Sequence, residues 1–160
     1  MIVFLIVHKN NQGHILTILK AYRHTGIACK DINKSLEFYR DFLGMEVQQD
    51  FWDDSEYIND IHGFKNANIH MIKLTAPGGT MIELLDYSTH PTELINHNFY
   101  NVGICHIAFQ VDNLEETYRF LKEKSVKFLS EPLLSSEGFA KVCFCFDPDN
   151  VRLELVEILD

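Results

Sequence analysis

The sequence predicts an α+β fold built from two βαβββ units in tandem. Three observations predict it: an internal repeat that starts at a histidine, a change of hydrophobic period from 2 to 3.6 soon afterwards, and a closing strand with a central glutamate. All three occur once in each half of the chain. The units are predicted over residues 20–87 and 103–158, joined by a connecting segment at 88–102, with residues 1–19 as an N-terminal extension.

The repeat is visible when "HTGIACKDINKSLEFY" from His24 is aligned with "HIAFQVDNLEETYRFL" from His106. Ile32 then falls on Leu114, at the same offset from its histidine. Both segments alternate as a strand at first and become helical after one or two Asp or Asn residues. One predicted helical face consists of Ile32, Leu36, Tyr39 and Leu43, and its counterpart of Leu114, Tyr118 and Leu121.

Local signals bound these helices and the remaining strands. Asn113 with Glu116 resembles a capping box, and Gly44 is a suitable end for the first helix. Pro77 and Pro148 each lie six residues before the central glutamate of a closing strand and indicate turns. Further strands are predicted at 45–49, 69–74, 126–129 and 141–146, a short helix at about 91–97, and a helix with a loop over the site within 50–68.

Four polar side chains are predicted on the sheet face opposite the helices. Strand alternation places His24 and His106 beside small residues and away from the apolar side chains. Glu83 and Glu154 lie between leucines or isoleucines, where an unpaired carboxylate would be costly. A divalent cation bound by all four relieves both repulsion and lost hydration, and a mixed N/O set leaves octahedral positions open for catalysis.

Each of these residues alone has an ordinary structural explanation. A single strand histidine is usually a core or surface group, and a glutamate between leucines usually faces solvent. The joint pattern, one histidine opening and one glutamate closing each half of the repeat, favours a metal site. The remaining histidines show no such repetition and are not predicted to bind metal.

Composition narrows the class of function. The chain has 160 residues, 46% of them hydrophobic, and a net charge of −9 without a Lys/Arg cluster, which argues against a nucleic-acid partner. The apolar run after Met1 ends at Val7 and predicts neither a membrane span nor an export signal. The four cysteines show no CxxC pair, so reduced thiols and a cytoplasmic location are expected.

The motifs "HTGIACKDINKSLEFYRDFLGMEV", "GGTMIELLDY", "GICHIAFQVDN" and "CFDPDNVRLELVE" together resemble the vicinal oxygen chelate superfamily. This superfamily includes glyoxalase I, methylmalonyl-CoA epimerase, extradiol dioxygenases, and fosfomycin and bleomycin resistance proteins. The resemblance covers about residues 20–158. It implies paired βαβββ modules that form a cupped, barrel-like mixed sheet with helices outside, around one divalent ion: nickel, cobalt, zinc, manganese or iron.

The resemblance further implies a metal-dependent isomerase or lyase of the glyoxalase I or epimerase type, acting on a small molecule. Its four ligand positions fall on His24, Glu83, His106 and Glu154. Such enzymes remove a proton next to a carbonyl and stabilise a metal-bound enediolate. Glu154 is assigned as the base, and Glu83 as a ligand and second acid/base. Cys105 departs from the epimerase pattern, where a second histidine is typical.

Two other functions stay open at this point. An extradiol-type dioxygenase would bind Fe(II) through His24, His106 and Glu154 and would not need Glu83. A non-catalytic, antibiotic-binding relative would bury its ligand between aromatic side chains, for which Phe51, Trp52 and Tyr57 are candidates. The superfamily also builds its site either within one chain or across a homodimer, and the sequence does not decide between them.

Overall fold

A computed structural model of the chain describes residues 19–95 and 98–159. Within these ranges each half of the chain forms a four-stranded sheet with helices. The first half contains β1 (Thr25–Ala28), α1 (Ile32–Leu36), β2 (Glu46–Asp53), α2 (Glu56–His62), β3 (Ile69–Thr75) and β4 (Met81–Tyr87). The second half contains β5 (Ile107–Gln110), α3 (Leu114–Glu123), β6 (Leu133–Leu134), β7 (Ala140–Phe146) and β8 (Arg152–Ile158).

The two sheets have the same topology. Their strand orders are β1-β4-β3-β2 and β5-β8-β7-β6, with the first strand of each parallel to the last and all other pairs antiparallel. The predicted α+β class and the two βαβββ modules are therefore confirmed. In both sheets the strand that follows the repeated histidine lies at an edge.

The first helix departs from the predicted face halfway along its length. After α1 the chain continues as a π-helical turn, Glu37–Phe42, in which the Leu43 N–H donates to the Phe38 carbonyl. The buried residues also differ from the predicted face, and the difference begins within α1, before this turn. Ser35 and Phe38 are buried, whereas the predicted Leu36 is only half-buried. Gly44, with φ of +73°, follows the helix as predicted.

One hydrophobic core spans both halves of the chain. It contains Ile27 and Leu84 from the first sheet together with Leu121 and Leu155 from the second half, all of them buried. Burying one such side chain contributes roughly 1.5–3 kcal/mol, so the shared core holds the two units against each other. The core-facing residues of β4 and β8 alternate with Glu83 and Glu154, as the strand pattern predicts.

A polar clasp, formed by the turn at residues 147–150 and the start of the first helix, also joins the halves. The Tyr39 hydroxyl donates to Asp147 Oδ2 over 3.0 Å, and Asp149 Oδ2 accepts from the Lys30 N–H and the Ser35 hydroxyl. Asp147 Oδ1 accepts two further backbone N–H groups of its own turn. Burial raises the pKa of the Asp147 carboxyl to about 6.

Two predicted elements are wrong. Residues 126–129 form only an isolated bridge, Phe128 to Cys145, and the strand pairing with β7 on that side is β6. Phe128 instead packs against Tyr118 of α3, with ring centroids 4.7 Å apart. Residues 91–95 are not helical, while 96 and 97 lie outside the described residues. Leu94 and Ile95 are exposed there, and so short a helix is marginal without packing.

The other strand predictions are confirmed with shifted ends. β2 extends to Asp53, beyond the predicted residue 49, and the helix predicted within 50–68 is α2. The residues assigned to an N-terminal extension, 1–19, fall outside the described residues except for Leu19. Within the described ranges none of the helices is both long and apolar enough to cross a membrane. The four cysteines carry free thiols, and three of them are buried.

Candidate functional site

The first candidate pair, His24 and Glu83, lies at the edge of the first sheet. β1 runs parallel to β4, and Gly26 is aligned with Glu83. His24 therefore precedes β1 by one residue and reaches the glutamate: its Nε2 lies 3.1 Å from Glu83 Oε2. Gly26 is exposed on the same face and leaves room beside the carboxylate. The sequence prediction that these two side chains share one face agrees with this geometry.

The second pair repeats the arrangement. Ala108 of β5 is aligned with Glu154 of β8, and His106 Nε2 lies 3.1 Å from Glu154 Oε2. Both histidine side chains are about one-third exposed, and both carboxylates are less exposed than that. Two His–Glu pairs with equal spacing thus occur at equivalent places in the two units.

Each pair fits two neighbouring ligands of one cation. Ions of the zinc and manganese kind hold nitrogen and oxygen donors at about 2.0–2.2 Å, which puts donors at right angles roughly 3 Å apart. The measured 3.1 Å matches that separation in both pairs. The Nδ1 of His24 is buried and has no hydrogen-bond partner in the structure, whereas a metal-bound histidine usually donates its second N–H to a partner. The spacing of the two pairs, and not this nitrogen, therefore supports coordination.

The four side chains do not meet in one cluster within this chain. Among the described residues, no three His, Cys, Asp or Glu side chains lie close enough together to hold one metal ion. The structure therefore brings His24 to Glu83 and His106 to Glu154, and keeps the two pairs apart. Each pair supplies half of the ligand set that the sequence predicts.

Two neighbours that the sequence analysis missed distinguish the pairs. Lys73 of β3 lies directly opposite Glu83, and Phe144 of β7 lies directly opposite Glu154. Each is ten residues before its glutamate, so the repeat itself carries the signal. It was missed because the repeat was compared for matching residues, and these two differ. Lys73 Nζ is 3.4 Å from Glu83 Oε1, whereas the Phe144 ring packs edge-on against His106 at 5.4 Å.

Arg152 was also missed, and it organises the approach to His106. This largely buried side chain precedes Glu154 by two residues on the same strand face and donates from Nη1 to the Cys105 carbonyl over 2.9 Å. Its guanidinium lies 4.1 Å from the centre of the Phe99 ring, which brings the connecting segment onto the second pair. The Cys105 thiol is 3.0 Å from His106 Nδ1, so it can fix the orientation of that imidazole.

The helix α2 covers part of the face of the first sheet that carries Glu83, which we call the ligand-bearing face. Ile58 of α2 packs on Ile69 and Met71, which share that face with Glu83. This agrees with the predicted helix over the site. Tyr87 belongs to the same patch, and burial, with a further contribution from the Glu83 charge, raises the pKa of its phenol.

The three aromatic candidates for ligand binding do not form one cluster. Phe51 is aligned with Met71 and therefore faces the same side as Glu83. Trp52, the next residue, faces the opposite side and stacks on His70 with centroids 4.6 Å apart. Tyr57 is exposed on α2. Only Phe51 thus remains near the first pair.

A groove of about 330 Å³ runs along the open edge of β1. Its lining includes Gly26, Ala28, Ile95, Ile104 and His106. The size suits a small organic molecule, and the lining is mostly apolar. The second histidine therefore borders a cavity.

The sequence profile of the Glyoxalase/Bleomycin resistance protein/Dioxygenase superfamily matches residues 21–155. The chain belongs to this superfamily. The assignment confirms the family that the four motifs resemble, and the matched range includes His24, Glu83, His106 and Glu154.

Relatives within the superfamily include proteins named for a lyase. The chain is 31% identical over 140 residues to lactoylglutathione lyase of Schizosaccharomyces pombe, covering 83% of this chain and 46% of that enzyme. It therefore spans about half of the yeast enzyme's length. A probable lactoylglutathione lyase of Synechocystis sp. is 29% identical, with 84% of this chain and 92% of that protein covered.

Solved structures show the same fold at low identity. A glyoxalase family protein from Bacillus cereus is similar with a TM-score of 0.82 and 18% identity, covering 90% of this chain and 97% of that one. The fosfomycin resistance protein FosX of Listeria monocytogenes, solved with Mn(II) and sulfate, has a TM-score of 0.59 and 19% identity, with 88% and 93% covered. These similarities establish the superfamily fold.

Proposed function

We propose that this protein is a metal-dependent isomerase or lyase that removes a proton from carbon next to a carbonyl. The observation that carries the proposal is the repeated His–Glu pair, each with an Nε2–Oε2 distance of 3.1 Å. The relatives named lactoylglutathione lyase support a reaction of this class. We assign His24, Glu83, His106 and Glu154 as the ligands of one divalent ion.

A divalent ion held by these four side chains would supply Lewis-acid polarisation of the substrate carbonyl. The protein's own groups move the proton. Glu154 uses Oε2 in its contact with His106, so Oε1 is the oxygen that can accept a proton from the substrate carbon. The apolar ring of Phe144 lies directly opposite on the sheet and limits hydration of that carboxylate. Glu154 is therefore our proposed base.

We propose that the main role of Glu83 is to bind the metal ion. Both of its carboxylate oxygens have partners in the structure, Oε2 with His24 and Oε1 with Lys73. A carboxylate held by two neighbours is less suited to shuttle a proton than one held by a single neighbour. Its role as a second acid/base stays a prediction.

We propose that the complete site forms between two copies of the chain. The two pairs stay apart within one copy, and the ligand-bearing edges β1 and β5 are open. Several apolar residues of the connecting segment, Ile95, Tyr100, Val102 and Ile104, are largely exposed. Exposed apolar surface of this kind marks contact with a partner, here a second copy.

The metal content of purified protein with and without Glu83→Ala tests the proposed function. We expect about one divalent ion per four-residue ligand set in the wild-type protein, and at least a tenfold loss of affinity in the variant, because a direct ligand is removed. Glu116→Ala, which removes an exposed carboxylate of α3, is the matched control. Iron that is retained fully in Glu83→Ala, with oxygen consumption, would instead support the dioxygenase.

A further inference from the structure

The two units match at the ligands but differ at the residue opposite each glutamate. In the antiparallel register, Lys73 faces Glu83 across β3 and β4, and Phe144 faces Glu154 across β7 and β8. Directly opposite residues in an antiparallel pair project from the same side of the sheet. The first His–Glu pair, or half-site, therefore has a fixed cation beside it. The second half-site has an aromatic ring at the equivalent position.

Lys73 has a defined position and unused N–H hydrogen-bond donors. Its side chain is 22% exposed, and its Nζ lies 3.4 Å from Glu83 Oε1 and 5.8 Å from the centre of the Phe51 ring. An ammonium group has three N–H donors, and an aromatic face attracts the charge without satisfying a conventional donor. Glu83 uses one donor, so two remain for a further partner on the ligand-bearing face.

A need to neutralise the charge of Glu83 does not by itself explain why a lysine occurs at position 73. Glu154 forms the same contact with its histidine at the same distance, and its cross-strand neighbour is Phe144. A His–Glu pair of this geometry therefore exists in the protein without a lysine opposite the glutamate. A cation beside a metal ligand also repels the metal, which is a cost that needs a compensating use.

We propose that Lys73 binds a carboxylate of the substrate, so that the substrate class is a small carboxylic acid whose carbonyl lies within a few atoms of that group. This deepens the proposed function and rests on it in placing the carbonyl beside Glu83. The carboxylate lies toward Lys73, and the apolar part lies toward Phe51. Gln49, aligned with Lys73 on β2, is a neutral neighbour on the same face.

Lys73 is a local exception to the negative net charge of the protein. The chain carries −9 overall, which disfavours an anion at long range. The nearby acidic stretch includes Asp53, whose pKa is held below the ordinary value by hydrogen bonds from the Ser55 side chain and N–H. This carboxylate therefore stays ionised, but it lies at the end of β2, four residues beyond Gln49, the cross-strand neighbour of Lys73. A single well-placed ammonium then decides which small molecules bind.

The test compares two ligands of similar size, pyruvate with its carboxylate and neutral hydroxyacetone, by isothermal titration calorimetry on the metal-loaded protein. The variants are Lys73→Met, Lys73→Arg and the control Lys141→Met, which removes a lysine that pairs with Glu115. We expect Lys73→Met to weaken pyruvate binding at least about tenfold and to change hydroxyacetone binding less than about twofold. Lys73→Arg should retain the preference for pyruvate, as should Lys141→Met.

Three results would overturn the proposal: unchanged pyruvate binding in Lys73→Met, equal loss of both ligands, or no pyruvate binding by the wild-type protein. Metal content measured on the same samples separates this proposal from the proposed function. Protein that takes up no divalent metal during loading, yet binds pyruvate through Lys73, would contradict the proposed metal site and keep the carboxylate site. Protein that binds metal, but whose affinity for pyruvate is unchanged in Lys73→Met, would contradict the carboxylate site and keep the proposed function.

Discussion

Glu83 and Glu154 occupy equivalent positions in the two units but have different neighbours. Both contact a histidine through Oε2 at 3.1 Å. A lysine holds the other oxygen of Glu83, whereas Phe144 lies opposite Glu154. A base must exchange its partners during the reaction, so the carboxylate with fewer fixed partners is the better candidate.

Glu154→Gln should separate the chemistry from metal binding. The amide keeps an oxygen that can coordinate but cannot accept the proton, so we expect catalytic turnover to fall about 10²–10⁴-fold with metal content retained. Steady-state kinetics and metal analysis on the same preparation provide the measurement. Glu116→Gln, exposed on α3, is the control and should behave as the wild type. Full turnover in metal-loaded Glu154→Gln would remove Glu154 from the base role.

At the scale of elements, strand order decides where each half-site lies. The parallel pairings β1 with β4 and β5 with β8 align a small residue, Gly26 or Ala108, with each glutamate. The histidine just before each edge strand then reaches the carboxylate. α1 and α3 bury the opposite sheet faces, so their stability supports the site indirectly.

Asn113→Ala should destabilise the protein by removing the cap of α3. The Asn113 side-chain oxygen accepts the Glu116 N–H over 3.0 Å, which satisfies one of the free donors at the helix start. We expect a loss of about 1 kcal/mol in the free energy of unfolding, measured by urea denaturation. Asn113→Ser keeps a capping oxygen and should recover most of it. Equal stability of the alanine and wild-type proteins would show that the cap contributes nothing.

At the scale of the whole molecule, the polar clasp adds a pH-dependent contact to the shared core. Asp147 in the second unit receives the Tyr39 hydroxyl from the first, and burial raises the pKa of this carboxyl from an ordinary 3.8 to about 6. The folded state therefore binds the proton more tightly than the unfolded state. The contribution of the Asp147 carboxyl to stability is present below about pH 4 and is lost as pH rises through 6.

Asp147→Asn should remove this pH dependence. The shift corresponds to on the order of 3 kcal/mol, so the variant should gain stability relative to the wild type between pH 4 and pH 7.5 by up to that amount. Urea midpoints at the two pH values give the measurement. Tyr39→Phe keeps the buried carboxylate and should keep the wild-type trend. A stability difference that is the same at both pH values would contradict the prediction.

Complementation tests whether two chains share each site. If His24 and Glu83 of one copy meet His106 and Glu154 of another, a mixture of His24→Ala and His106→Ala proteins contains dimers with one intact ligand set. We expect each variant alone to bind little metal, and the refolded mixture to recover about a quarter of wild-type metal content. No recovery, with dimers formed, would place the four ligands within one chain.

The repeat, the fold class and the four candidate ligands were predictable from the pattern of amino acids alone. These follow from local information: a strand alternates with period 2, a helix with period 3.6, and a polar residue among apolar ones needs a partner. The capping of α3 by Asn113 and the helix end at Gly44 were predictable for the same reason.

Strand pairing and packing between distant parts of the chain established which of those residues meet and what surrounds them. Cross-strand register placed Lys73 beside Glu83 and Phe144 beside Glu154, and packing of Phe128 on Tyr118 replaced a predicted strand. The first helix likewise buries Ser35 rather than the predicted Leu36. Such outcomes depend on contacts between residues distant in the chain, whose energies local periodicity does not contain. The separation of the two His–Glu pairs has the same origin, because it depends on how the two sheets pack.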